Sequence, residues 1–247
     1  MSGHSKWANI KHKKAKGDAA RSNVFTKIGR EIAIAVKQGG ADQSSNSRLR
    51  DAIANAKANN MPNDNIARSI KKASGEGDSI NYEEMTYEGY GIGGTAFIVE
   101  ALTDNKNRTA GDVRHIFDKY GGSLGSTGCV AYMFKKRGVI VVAKSDIGED
   151  DLMMLAIDAG ADDINTDDDE VYEIYTLPQD FGKVREALEA AKLNALSAEF
   201  TMIPENEVTP SDVHAETLFK MIDKLDELDD VQNVYHNAIL PEDEEED

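Results

Sequence analysis

The first third of the chain carries apolar residues at the spacing of an α-helix. Intervals of three and four residues separate successive members, which places them on one face of each of three helices. These residues are Phe25, Ile28, Ile32 and Val36 in the first helix, Leu49, Ala52, Ile53 and Ala56 in the second, and Ile66, Ile70 and Ala73 in the third. Gly39 and Gly40 end the first helix, and Pro62 opens the third. The pattern predicts a small three-helix bundle.

From residue 79 onward the pattern changes to strands mixed with helices. Apolar runs predict strands at 84–90, 95–102 and 130–134, and Thr109 is expected to cap a helix between the second and third strands. The segment 138–204 follows the order strand, helix, strand, strand, helix, strand, which is the ferredoxin-like plan. The block before it lacks a helix and a strand, and residues 211–240 supply both. We therefore expect the 138–204 segment to be inserted into the domain that surrounds it.

These elements predict an α+β fold with an N-terminal three-helix bundle followed by two ferredoxin-like α/β domains, one inserted in the other. The expected bounds are 1–78 for a basic helical domain that binds nucleic acid, 79–135 plus 208–240 for the first α/β domain, and 136–207 for the inserted one. Residues 241–247 are almost entirely acidic, and we expect a disordered tail there.

Composition favours a cytoplasmic protein. No apolar run approaches the roughly 18–20 residues that a membrane span needs, and the polar, basic N-terminus does not have the pattern of a secretory signal. The single cysteine, Cys129, cannot form an internal disulfide, which fits a reducing compartment. We expect Cys129 to be a small buried residue in a strand.

Charge divides the chain near residue 72. Residues 1–72 hold fifteen Lys/Arg and five Asp/Glu, a net charge of +10, whereas the remaining residues hold thirteen and forty, a net charge of −27. A cationic module on an anionic body is typical of a protein that binds a polyanion with one end only. Nucleic acid is the polyanion that we favour.

Basic residues cluster in the first sixteen positions and continue on the outer faces of the three helices. The lysines offer phosphate contacts without a sequence code, the arginines offer bidentate ones, and Trp7 can stack on an unpaired base. The candidate nucleic-acid-binding residues are His4, Lys6, Trp7, Lys11, Lys13, Lys14, Lys16, Arg21, Lys27, Arg30, Arg48, Arg50, Arg68, Lys71 and Lys72. The alternative is a solubilising tail with Trp7 packed on the bundle.

Other motifs do not favour catalysis. The glycine-rich segment 89–94 precedes a strand sequence rather than a helix, so it predicts a hairpin turn and not a phosphate-binding loop. The acidic run 167–170 lacks the glycine and the downstream glutamate of a calcium loop, and predicts a turn between two strands. The five histidines show no zinc or nucleophile spacing. We expect no enzyme activity, no metal site and no cofactor.

Several segments resemble the YebC family from end to end. They are Gly3–Ile10 with the lysines that follow, Tyr87–Gly91, Asp104–Thr109, Gly121–Gly125, Val130–Phe134 and Val231–Asn237. The family also includes mitochondrial translational activators, and the absence of a presequence before the first motif predicts a bacterial cytoplasmic member. The resemblance implies three domains and no catalysis.

The resemblance leaves two functions open. Family members are labelled DNA-binding transcriptional regulators, and they are also associated with the ribosome, where they relieve stalling. Ribosomal RNA or tRNA suits a cationic arm with one aromatic residue, whereas a body of −27 is repelled by bare duplex DNA. We therefore expect a ribosome-associated translation factor, with a transcriptional regulator as the alternative. A third hypothesis is an adaptor whose α/β domains bind proteins. We expect a monomer that does not contact a membrane.

Overall fold

The structure is a computed structural model that describes residues 18–75 and 81–241, with side chains from Ser22 onward. Three helices come first: α1 (Asp18–Gly39), α2 (Ser47–Ala58) and α3 (Asn63–Ser74). Their shared core contains the apolar positions that the spacing predicts, among them Ile28, Ile32, Leu49, Ile53 and Ile66. The three-helix bundle is therefore confirmed.

Asn46 fixes the turn between the first two helices. Its Oδ1 accepts a hydrogen bond from the backbone N–H of Leu49 at 3.0 Å, which caps the N-terminus of α2. Its Nδ2 donates to the backbone oxygens of Ala35 and Gly40, each at 2.7 Å. One buried amide thus satisfies both the end of α1 and the start of α2.

The first sheet is built from strands that lie far apart in sequence. It contains β1 (Glu83–Tyr90), β2 (Ala96–Thr103), β3 (Ser123–Leu124) and β8 (Val231–His236), in the antiparallel order β3-β1-β2-β8. Helices α4 (Lys106–Lys119) and α7 (Asp212–Asp226) belong to this domain. Phe117 of α4 packs edge-to-face on Phe97 of β2, with 5.8 Å between ring centroids.

The second sheet has the ferredoxin-like order. Strand β4 (Phe134–Ala143), helix α5 (Glu149–Ala159), strands β5 (Asp163–Asn165) and β6 (Val171–Thr176), helix α6 (Phe181–Ala190) and strand β7 (Ala195–Pro204) follow one another along the chain. The sheet order is β5-β6-β4-β7, antiparallel throughout. Its core contains Ile140, Leu152, Ile174, Val184 and Leu188.

The α+β fold class and the insertion are both confirmed by this arrangement. The described residues fall into two compact units: the residues up to Ala131 with Ser211–His236, and Tyr132–Pro210 with the residues from Asn237 onward. The helical bundle and the first sheet belong to the same unit. The domain bounds given above stay a prediction.

Three local predictions are wrong. The strand expected at 130–134 begins only at Phe134, because the backbone of Val130 and Ala131 turns to donate to the buried carboxylate of Glu88, and the third strand is instead Ser123–Leu124. Asn105, not Thr109, caps α4, since its side chain already accepts from the N–H of Arg108. Cys129 lies partly exposed in a bend rather than in a strand.

Two motif interpretations are confirmed. Segment 89–94 spans the end of β1 and a 3-10 turn, and β2 follows it directly in antiparallel register. Gly93 and Gly94 have positive φ angles there, of 71° and 77°, which glycine adopts without strain. Residues 167–170 form the connection between β5 and β6, where Asp168 Oδ1 accepts from the N–H groups of Glu170 and Val171.

Candidate nucleic-acid interface

Half of the candidate residues can be placed. His4, Lys6, Trp7, Lys11, Lys13, Lys14 and Lys16 lie outside the described residues, and the side chain of Arg21 is not described. The others belong to the three helices. Their surroundings divide them into cations that are bound within the molecule and cations that are open to solvent.

Lys27 holds α1 against the end of α7. Its ammonium lies 3.0 Å from Oδ1 of Asp226 and donates to the backbone oxygen of the same residue at 2.6 Å. The neighbouring Asn23 donates through Nδ2 to the backbone oxygen of Glu227 at 2.8 Å. These carbonyls form the C-terminus of α7, where the helix dipole favours a positive charge.

Arg30 is the most deeply placed of the candidate cations. Its guanidinium forms an ion pair with Asp230 Oδ1 and donates to the backbone oxygen of Leu102 at 2.9 Å, and only 13% of the side chain is exposed. The ring of Tyr82 lies beneath it, 5.4 Å from the guanidinium carbon to the ring centroid. This side chain therefore joins the bundle to the first α/β domain.

The Oδ2 atom of Asp230 accepts several hydrogen bonds. Thr109 Oγ1 lies 2.6 Å from Oδ2, Arg108 Nη2 lies 2.7 Å from it, and Thr103 Oγ1 lies 3.3 Å from it. Burial alone would raise the pKa of Asp230, but the hydrogen bonds from Thr109, Arg108 and Arg30 outweigh burial and lower it. The hydrogen bonds that Arg108 donates to Asp230 and Asp104 raise the pKa of Arg108.

Two further arginines are bound within the unit. Arg48 donates through Nε to Glu31 at 2.8 Å and through Nη1 to Gln38 at 2.7 Å, and its Nη2 lies 2.6 Å from a carboxylate oxygen of Glu84 on β1. Burial opposes the charge, yet the bonds to both carboxylates raise the pKa of Arg48. Arg50 donates to the backbone oxygens of Gln43 and Ser44, which closes the loop before α2.

Helix α3 carries the open cations. Arg68, Lys71 and Lys72 are exposed and lie on the side of α3 opposite to the buried Ile66. Within the two described stretches of the chain, none of the three has an ion-pair partner. The expectation that the outer faces of all three helices offer cations stays a prediction. In the structure, α1 uses Lys27 and Arg30 for contacts within the molecule, and of the seven candidates that can be placed, those exposed without a side-chain bond to another described residue lie on α3.

The acidic partners were not foreseen from the sequence. Arg30 and Asp230 are separated by 200 positions, and no local spacing links such residues. The acidic stretch that ends α7 was assigned only to the anionic body. This acidic stretch carries one signal in the sequence. Carboxylates beside a helix C-terminus are unfavourable unless a cation lies near them, so their presence there indicates a cationic partner.

Family comparisons match most of the chain. A family model described as the TACO1/YebC protein N-terminal domain matches residues 5–76, and one described as the TACO1/YebC second and third domain matches residues 82–238. The chain belongs to the TACO1/YebC family. The resemblance noted from the motifs is therefore confirmed.

Individual relatives match over nearly their full length. A "probable transcriptional regulatory protein" of Acetivibrio thermocellus is 63% identical over 239 residues, covering 96% of this chain and 98% of that protein. A protein of the same description from Clostridium tetani is 58% identical over 243 residues, covering 98% of each. The crystal structure of a conserved hypothetical protein from Aquifex aeolicus matches with a TM-score of 0.86 at 44% identity, covering 98% of this chain and 100% of that one.

Some of the TACO1/YebC motif segments coincide with the contacts described above. Segment 104–109 supplies Arg108 and Thr109 to Asp230, and segment 87–91 supplies Glu88. Among the described residues, no group of three His, Cys, Asp or Glu side chains is arranged to hold a metal ion. None of the described helices has the length and apolar character to cross a bilayer.

Proposed function

We propose that this protein is a non-enzymatic, nucleic-acid-binding regulatory protein of the cytoplasm, a translation factor that binds RNA on the ribosome through its basic N-terminal region and relieves stalling. The observation that carries the proposal is the open cationic face of α3, on a bundle whose other described cations are largely held within the molecule. The division of charge along the chain supports it, because the anionic remainder restricts phosphate contact to one end.

RNA is favoured over duplex DNA for two reasons. The cations of α3 and the N-terminal lysines are side chains that contact phosphates without a sequence code. A body with a net charge of −27 is repelled by a long bare duplex, whereas folded RNA on a particle offers single strands and bulges with protein beside them.

A binding experiment tests the RNA interface. The triple substitution Arg68→Gln, Lys71→Gln and Lys72→Gln is compared with wild type for a fluorescent single-stranded RNA between 50 and 200 mM salt. The slope of log affinity against log salt is expected to become shallower by about 2, since each lost phosphate contact contributes about 0.7 for a single strand. An unchanged slope would contradict the role of α3.

The matched control removes the same charge elsewhere. Lys135, Lys183 and Lys220 are exposed lysines outside the bundle, and their replacement by Gln also removes three positive charges. This control is expected to leave the slope within error, because these lysines lie on the anionic part of the chain. Equal losses in both variants would indicate that net charge alone, and not the α3 face, sets the affinity.

Ribosome association is tested by sedimentation. Wild-type protein is expected to sediment with ribosomes that have been stalled on consecutive prolines, at low salt, and the α3 triple variant is expected to remain at the top of the gradient. Wild-type protein that stays at the top with stalled ribosomes present would refute the ribosomal role.

A transcriptional regulator is the second candidate, and the relatives described as probable transcriptional regulatory proteins favour it. It predicts protection of defined promoter sites that survives an excess of competitor RNA. Protection that competitor RNA abolishes would favour the translation factor.

A further inference from the structure

Helix α5 has apolar side chains on both of its faces. Leu152 and Ala156 are fully buried against the second sheet, as the inner face of a surface helix requires. On the outer side, Met153, Met154 and Ile157 are exposed to 36%, 67% and 60%. Positions 153, 154 and 157 adjoin across one turn, so these three side chains form a continuous apolar patch.

The neighbouring helix of the same domain shows that this pattern is not imposed by the fold. Helix α6 buries Phe181, Val184 and Leu188, and its exposed positions include Lys183 and Glu186. A polar outer face is therefore compatible with this layer of helices. Isolated apolar side chains are common on protein surfaces, but a group of large ones, such as that on α5, is typical of a binding surface.

Carboxylates surround the patch. Glu149, Asp150 and Asp151 occupy the first turn of α5, where the helix dipole favours them, but Asp158 lies in the last turn, where the dipole disfavours a negative charge. Within the described part of the chain, none of these four carboxylates has an ion-pair partner. Their arrangement around an apolar centre resembles the polar rim of a protein interface.

We propose that the outer face of α5 binds a Lys/Arg-rich protein segment that places apolar side chains on Met153, Met154 and Ile157. Segment 132–210 carries seven Lys/Arg and eighteen Asp/Glu, a net charge of −11, so a second copy that docks through the same segment, or a nucleic acid, would meet repulsion at this surface. A cationic partner meets attraction at the rim. Unbranched methionines adapt to the shape of an apolar anchor. This surface is independent of the proposed RNA interface.

A defined probe tests the surface. The full-length protein, with methyl-labelled methionine, is titrated with a synthetic peptide of about five helical turns built from Lys and Leu at helical spacing. The methyl signals of Met153 and Met154 are expected to shift, and the double variant Met154→Gln, Ile157→Gln is expected to weaken binding by about tenfold or more. Gln keeps the length and helix propensity of Met154 and is a better helix former than Ile157, so neither substitution is expected to unwind α5.

Matched controls separate the patch from general attraction. Val213 is another exposed apolar residue on a helix, at 73% exposure, and Val213→Gln is expected to leave the affinity unchanged. A peptide with Ser in place of Leu is expected to bind at least about tenfold more weakly, and one with Glu in place of Lys is expected not to bind.

The proposal is overturned by any of four outcomes. These are unchanged affinity in the double variant, equal affinity of the Lys/Ser peptide, binding of the Glu/Leu peptide, and shifts confined to other methionines. Sedimentation velocity adds a fifth: self-association of the wild type that the double variant abolishes would make a second copy the occupant.

Discussion

At the scale of single residues, Asp230 has the strongest claim to a structural role. The carboxylate is buried and accepts from Arg30, Arg108 and Thr109. Replacement by Asn leaves one oxygen and introduces an NH₂ group that faces donors. We predict that Asp230→Asn lowers the free energy of unfolding by about 3 kcal/mol, because it leaves the largely buried Arg30 without its carboxylate partner. Urea denaturation at pH 7 measures the difference.

The control for this prediction is the adjacent residue. Asp229 is exposed, and Asp229→Asn is expected to change the free energy of unfolding by no more than about 0.5 kcal/mol. Equal effects of the two substitutions would show that the net charge of the acidic turn, and not the bonds of Asp230, is what stabilises this region.

Because the pKa of Asp230 is lowered in the folded protein, we also predict how its contribution to the free energy of unfolding depends on pH. A carboxyl group whose pKa is lower in the folded state stabilises the fold fully above its unfolded pKa, about 3.9, and loses this contribution as the pH falls through the folded value. The stability difference between wild type and Asp230→Asn should therefore be constant from about pH 7 to pH 5 and shrink below about pH 4. Denaturation series at each pH test this; a difference that already shrinks between pH 7 and pH 5 would contradict it.

At the scale of elements, Glu88 shapes the loop that follows β3. Its Oε1 accepts from the N–H of Gly128 at 2.7 Å, and its Oε2 accepts from those of Val130 at 3.0 Å and Ala131 at 2.8 Å. Burial would raise the pKa of Glu88, but these three bonds lower it. The pattern at 130–134 predicts a strand, whose N–H groups would donate to a neighbouring strand. In the structure, the N–H groups of Val130 and Ala131 donate to the carboxylate of Glu88 instead.

We predict that Glu88→Gln costs about 2 kcal/mol of stability, because the amide keeps one acceptor and turns a donor toward backbone donors. Hydrogen exchange should increase most at the amides of Val130 and Ala131. Glu83→Gln is the control: its ion pair with Lys106 is half exposed on both sides and is expected to matter by less than about 1 kcal/mol. Unchanged exchange at Val130 and Ala131 in Glu88→Gln would refute the role of this carboxylate.

The elements also show what sequence alone can predict. Helices such as α1 are predictable because the apolar spacing that defines them is a local sequence pattern, here from Phe25 to Val36. The loop at 125–131 is not, because its conformation depends on Glu88, some forty positions away. The cap of α4 was misplaced since both Asn105 and Thr109 are capping residues, and only the start of the helix distinguishes them.

At the scale of the whole molecule, net charge identifies the cationic region of the sequence. It does not show which cations in that region are exposed to solvent and which are bound within the molecule. The count of +10 for residues 1–72 treats Arg30 and Arg68 alike. The structure distinguishes them, because Arg30 is committed to Asp230 and the backbone of Leu102, whereas Arg68 is exposed without an ion pair in the described part of the chain. That difference depends on contacts between residues far apart in sequence.

This distinction predicts opposite effects of one chemical change at two positions of the same bundle. Arg30→Gln is expected to lower the free energy of unfolding by about 2 kcal/mol, since it removes the cation bound to Oδ1 of the buried Asp230 and the bond to the backbone oxygen of Leu102. It is expected to leave RNA affinity within about twofold while the protein is folded. Arg68→Gln is expected to change stability by less than about 0.5 kcal/mol and to weaken RNA binding, with a shallower salt dependence. Urea denaturation and fluorescence anisotropy on the same preparations measure both quantities. A folded Arg30→Gln variant that loses more RNA affinity than Arg68→Gln would place the phosphate contacts on α1, and the bundle would then have to leave Asp230 in order to bind.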